Sequence, residues 1–119
     1  MIPTIPVIFS FPTKVCSPMH EHNKKKYMHF ELTPYILERI KDIHEESKVF
    51  MTSKVINTCE GSTIRVKVPY KYNRVTCIVL GKTIQELALG DLVDIEIQYC
   101  GVWNVGGFSG PSWKLNSIQ

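Results

Sequence analysis

The residues best equipped for chemistry in this chain are cations and aromatic rings set close together. Between positions 65 and 74 stand Arg65, Lys67, Tyr70, Lys71, Tyr72 and Arg74. Cations repeated along an extended segment match the spacing of phosphates, and flat rings among them offer surfaces for unstacked bases, each stack being worth roughly 1–3 kcal/mol. The same pattern also suits a solvated outer face whose tyrosines plug the end of a barrel. A second basic cluster, Lys24, Lys25 and Lys26, runs into Tyr27. It adds to the first only if the fold sets the two side by side; otherwise it is a solvated loop. Further on, Tyr99, Trp103, Phe108 and Trp113 are interleaved with Gly101, Gly106, Gly107 and Gly110. Tryptophan is usually buried with its N–H bonded, so Trp103 and Trp113 are expected in the barrel wall. That leaves Phe108 and Lys114 as the exposed pair.

Metal and enzyme chemistry find less support. Cys16, His20 and His22 offer three potential ligands, but structural zinc asks for four in paired spacings, and the stretch reads as a polar loop; no metal and no cofactor is expected. A metal-dependent enzyme built on that loop is the third-ranked alternative. The glycines at 106, 107 and 110 lack the Gly-Lys-Ser/Thr ending of a phosphate-binding loop. Asp94 and Glu96 share one strand face and would repel phosphate, so that face is not the expected groove. No nucleophile–base pair stands out, and the chain is read as a non-enzyme.

The elements that must position these residues are mostly strands. Residues 5–11 suit an edge strand or arm because prolines interrupt them, and 13–26 read as a loop. Residues 27–32 alternate, with Met28, Phe30 and Leu32 on one face and Tyr27, His29 and Glu31 on the other. One helix is defined near residues 33–48 by Thr33 as N-cap, Pro34 at the first helical position and a stripe of Ile36, Ile40 and Ile43 with Leu37 beside it. Short strands are expected at 54–59 and 62–68, the latter with Ile64, Val66 and Val68 inward and Arg65 and Lys67 outward. The apolar run 75–80 reads as a strand covered on both faces, and 83–89 as containing a short helical turn. Residues 92–99 alternate again, and 102–105 with 112–118 form a hairpin around a glycine-rich connection at 106–111. Many short strands with one helix predict a mainly β chain, a small closed or partly open barrel.

With 119 residues the chain holds one domain, 1–119, with 1–12 as an extended arm or edge strand. A net charge of +3 is compatible with a polyanionic partner without requiring one. No apolar run approaches the ~20 residues that cross a bilayer. The opening stretch lacks a basic start and a cleavage site, so it does not read as a signal peptide. The four separated cysteines then read as free thiols in an intracellular compartment.

The run Leu89, Gly90, Asp91, Leu92, Val93, Asp94, Ile95, Glu96, Ile97, followed by Trp103 and then by Gly110, Ser112, Trp113, Lys114, Leu115 and Ile118, resembles the end of the OB-fold single-stranded-DNA-binding proteins of bacteriophages and large DNA viruses. In those, a Gly-Asp turn opens a strand and a later strand closes the barrel after a glycine-containing hairpin. The likeness covers about the last third of the chain. It implies an OB barrel that binds single-stranded nucleic acid, DNA rather than RNA, as an accessory to replication or recombination, in the host nucleus or cytoplasm. The sequence to Gln119 shows no acidic, aromatic-tipped tail of the kind many such proteins use to recruit partners. The alternative is a protein-interaction or oligomerising module on the same barrel, pairing through the N-terminal arm or an open strand edge.

Overall fold

The computed structural model describes residues 7–22, 24–51, 54–71, 74–81 and 83–119. Among the described residues, ten strands follow one another. They are β1 (Ile8–His22), β2 (Lys25–Glu31), β3 (Lys54–Val55), β4 (Cys59–Glu60), β5 (Thr63–Val68), β6 (Tyr70–Lys71), β7 (Arg74–Val75), β8 (Ile78–Val79), β9 (Leu92–Val105) and β10 (Phe108–Ile118). The helix α1 (Pro34–Ser47) lies between β2 and β3.

Five of these strands close a barrel in the order β1-β2-β5-β10-β9 and back to β1. All neighbours are antiparallel except β5 and β10, which run parallel with Lys67 opposite Lys114. Numbered by barrel strand the circuit is 1-2-3-5-4-1, a Greek-key path of OB type. β1 is long enough to serve two neighbours: Ile8–Lys14 pair with β9, and Val15–His22 pair with β2.

Alternation builds the interior. Phe11 and Val15, Met28 and Phe30, Ile64, Val66 and Val68, Val93, Ile95 and Ile97, and Trp113 and Leu115 all point inward and are buried. Each full burial of such a side chain contributes about 1.5–3 kcal/mol relative to leaving it in water. Leu115 and Ile118 are three apart yet both inward, because a register shift between Leu115 and Ser117 lets β10 change parity.

The helix forms as its capping residues dictate. The backbone N–H of Ile36 donates to Thr33 Oγ1 at 3.5 Å, and Pro34 fills the position where no intrahelical donor is needed. Ile40 is fully buried, with Ile36, Leu37 and Ile43 packed beside it. Two polar contacts dock the last turn on the barrel. Trp113 Nε1 donates to His44 Nε2 at 2.9 Å, and the Tyr99 hydroxyl donates to Ser47 Oγ at 2.8 Å. Burial lowers the His44 pKa to about 4, so the ring is a neutral acceptor.

Several expectations need correction. The segment 13–26 is not a loop: β1 runs through it to His22, and its polar character reflects strand faces turned to solvent. Register shifts between Val15 and Ser17 and between Ser17 and His20 mark the stretch that holds Pro18, which has no N–H to give to the ladder. The run 75–80 is not one strand covered on both faces. It is split between β7 and β8, and Ile78 and Leu80 are 63% and 54% exposed. The connection between β9 and β10 is shorter than 106–111. Gly106 and Gly107, with φ of 59° and 84°, make a two-residue turn of the kind that matches strand twist, and β10 starts at Phe108. Gly110 is required for a different reason: a Cβ there would stand 2.3 Å from the Ile56 carbonyl oxygen, whose segment bonds to Ser109. Of the stretch 1–12, residues 8–12 pair with β9 as part of the barrel, and residues 1–6 lie outside those described.

Candidate nucleic-acid interface

The outer surface of β2 and β5 is where the chemistry collects. With Met28, Phe30, Ile64 and Val66 inward, parity turns Tyr27 and His29 of β2 and Arg65 and Lys67 of β5 outward, in register as Tyr27 opposite Lys67 and His29 opposite Arg65. β1 continues the row on one side, with His20 opposite Tyr27. β10 continues it on the other, with Lys114 opposite Lys67. A single line across the barrel therefore reads His20, Tyr27, Lys67, Lys114.

The ring and cation contacts in this row are close. The Arg65 guanidinium lies 4.6 Å from the centroid of the Tyr27 ring, a stacked cation–π pair. His20 and His29 stack face to face, with centroids 5.3 Å apart and planes within 3° of parallel. The nearby His22 ring is 6.5 Å from Tyr27. The Nδ1 of His29 and the Nε of Arg65 are buried without a hydrogen-bond partner among the described residues.

Among the described residues, no ion pair engages the cations of this face. Three ion pairs occur among the described residues, Lys14–Glu31, Lys26–Glu21 and Lys48–Glu45. None of them uses Lys25, Arg65, Lys67 or Lys114. Partial burial, reinforced by the adjacent Lys25 ammonium, holds the Lys67 pKa below its ordinary value. Burial pushes the Cys100 thiol up, against the pull of Lys114 and Lys67, which places both lysines beside it. Like charges gathered without a counter-ion cost energy that an anion would relieve. The neighbouring outer face of β1, β9 and β10 is unlike it. There Glu96 accepts from Ser10 and Asn116, and Asn116 also donates to Gln98, so the Glu96 carboxylate is engaged in a polar network.

The residues singled out in the sequence divide by parity. Arg65, Lys67, Lys25 and Lys114 come together on the face just described. Lys24 sits at the turn between β1 and β2 with φ of 66° and is exposed. Lys26, adjacent in sequence to Lys25, points the other way: it pairs with Glu21 at 3.0 Å and stands 5.3 Å from the Tyr70 ring at the mouth of the barrel. Tyr70 and Lys71 form β6 and pair with Val75 and Arg74 of β7 in a separate small hairpin. Tyr72 lies outside the described residues. Phe108 is 43% exposed, with the Lys54 ammonium 5.4 Å from its ring. Six residues of strand, about 20 Å, separate it from Lys114. Trp113 is 1% exposed and inward as parity requires, while Trp103 is half-buried opposite Gly110.

Tyr27, His29 and His20 belong to the face, although the sequence pointed to His20 only as a potential metal ligand and to Tyr27 only as the neighbour of the lysines. The outward parity of Tyr27 and His29 was legible; their apposition to Arg65 needed the pairing of β2 with β5. Cys16, His20 and His22 do not converge, and no group of three or more His, Cys, Asp or Glu among the described residues is placed to hold a metal ion. All four cysteines are free thiols. A groove of about 590 Å³ lies at the opposite end of β2, lined by Thr13, Lys14, Glu31, Pro34 and Leu92 among others, and its lysine is already paired with Glu31. No described helix is long and apolar enough to cross a membrane. Compared with protein-family models, with curated proteins and with solved structures, the chain matches none of them.

Proposed function

We propose that this chain binds single-stranded DNA with little sequence preference, as an accessory to replication or recombination, through the outer face of β2 and β5. One observation carries the reading: four cations with no ion-pair partner among the described residues, Lys25, Arg65, Lys67 and Lys114, surround an aromatic row on the barrel face that OB folds offer to oligonucleotides. In this reading the four cations meet phosphates. The Arg65–Tyr27 stack is a platform for a base, and Phe108 with Lys54 is a second stacking point along β10. Lys24 and the small hairpin carrying Tyr70, Lys71 and Arg74 extend the positive field beyond the row. The partial likeness to the single-stranded-DNA-binding proteins of bacteriophages and large DNA viruses points the same way, DNA before RNA.

Fluorescence anisotropy with a labelled oligo-dT tests it. Neutralising four phosphates gives a slope of log K against log salt of about −3 for a single strand. Absence of binding at low salt would sink the proposal.

A second reading, a self-associating interaction module, is favoured by a different surface. Ile78, Leu80, Leu89 and Leu92 are exposed, and β8 pairs with β10 along one edge. Light scattering after size-exclusion chromatography distinguishes it: a concentration-dependent dimer with no oligonucleotide binding would replace the first reading with this one.

A further inference from the structure

The stacked imidazoles at the edge of the cationic face are not needed by a permanently charged binding site, and their geometry gives them a task of their own. His20 sits on β1 just past its register shifts, and His29 sits on β2. The fold holds their rings parallel at 5.3 Å. His20 Nδ1 lies 3.1 Å from the Pro18 carbonyl oxygen, which can only accept, so Nδ1 carries the proton of the neutral ring. The lone pair that remains to take up a second proton is on Nε2. With the rings stacked, a charge on His20 disfavours a second one on His29.

The surroundings sharpen the effect. From β1 come His20 and His22, from β2 Lys25, Tyr27 and Glu31, from β5 Arg65 and Lys67, from β10 Lys114, and from β4 Glu60. Burial, then His20, then Arg65 hold the His29 pKa down, and only Glu60 opposes them. His29 therefore sits in a positive field that discourages its protonation for as long as the face is empty. A polyanion laid along the face would reverse that field. Resting on the nucleic-acid reading above, we propose that the His20–His29 stack is part of the binding face and takes up a proton from solvent when a single strand binds, so that affinity rises as the pH falls.

The proton goes from solvent to an imidazole nitrogen and creates one further cation at the phosphates; no other bond changes. Imidazole is the side chain suited to this between pH 5 and 8. Oligo-dT is the appropriate probe because neither thymine nor the phosphodiester titrates in that interval. Anisotropy titrations at constant ionic strength, from about pH 8 to about pH 5.5, stay above the range in which the core His44 becomes charged.

The wild-type chain is expected to bind about three- to tenfold more tightly at the lower pH, short of the roughly 300-fold ceiling for one proton over that range. His20→Gln in combination with His29→Gln should flatten the dependence, read as the ratio of that variant's own affinities at the two ends of the pH range. His20→Lys, which installs a permanent charge at the same place, should bind more tightly than wild type at pH 8 and lose most of the pH dependence; a merely structural histidine would give neither result. Binding that is equally strong across the range in wild type, or a pH dependence that survives both substitutions, overturns the proton linkage and leaves the binding reading standing. Failure to bind at every pH overturns the binding reading itself, and the linkage with it.

Discussion

Lowering the pH should unlatch the helix from the barrel through one residue, His44. Its ring accepts the Trp113 indole N–H at 2.9 Å inside a cluster with Tyr99, and burial lowers its pKa to about 4 from an ordinary 6.5. Because the folded-state value is depressed, the neutral ring's contribution is intact above pH 6.5. It is lost progressively as the pH falls from 6.5 towards 4, where the unfolded chain binds a proton that the folded one refuses. Between about pH 7.5 and 4.5 the uncorrected difference is about 2.7 kcal/mol, at 1.36 kcal/mol per unit. The ring is only partly buried, so solvent screening reduces this to about 1.5 kcal/mol. Urea unfolding of the wild type and of His44→Gln, at both pH values, isolates the effect. Glutamine retains an acceptor for the indole but does not titrate, and the carboxylates common to both proteins cancel. The wild type should lose about 1.5 kcal/mol more than the variant over this interval. Parallel losses in the two proteins would refute the assignment of His44 as a buried neutral acceptor.

Two further outcomes are expected. Gly110→Ala forces a Cβ against the Ile56 carbonyl oxygen and close to the Trp103 indole, so thermal unfolding should show a loss of about 1–3 kcal/mol. On the binding face, replacing Arg65 and Lys67 together with glutamine should reduce the salt slope for oligo-dT by about 1.4. Lys48→Gln, a charge change on a lysine paired with Glu45 just beyond α1, should leave that slope unchanged.

The parts legible in the sequence were those governed by local rules. Thr33 and Pro34 fixed the start of α1 to the residue, and the alternations at 27–32, 62–68 and 92–99 became β2, β5 and most of β9 with the anticipated faces inward. Parity alone put Trp113 inside. What was missed depended on pairing. β1 looked like a loop between 13 and 22 because a strand with one face to solvent and a proline in its irregular stretch carries little apolar signal. The run 75–80 looked like a core strand because periodicity cannot tell burial from an apolar surface. The three consecutive lysines looked like one cluster, yet a strand sends Lys25 and Lys26 to opposite faces. The row from His20 to Lys114 draws on four strands, and no spacing within one of them announces it.

The closure of the barrel carries a consequence of its own. β5 and β10 meet in parallel where Lys67 faces Lys114, so two like charges stand on neighbouring strands at the seam that completes the cylinder, an arrangement that disfavours closure. Any substitution that removes one of these charges relieves the seam and strips the face at the same time. If the face binds nucleic acid as proposed, selecting variants for heat resistance alone would drift towards a sturdier barrel with a poorer grip on polyanions. The two lysines would then mark a point where durability and binding are set against each other by the geometry of a single strand contact.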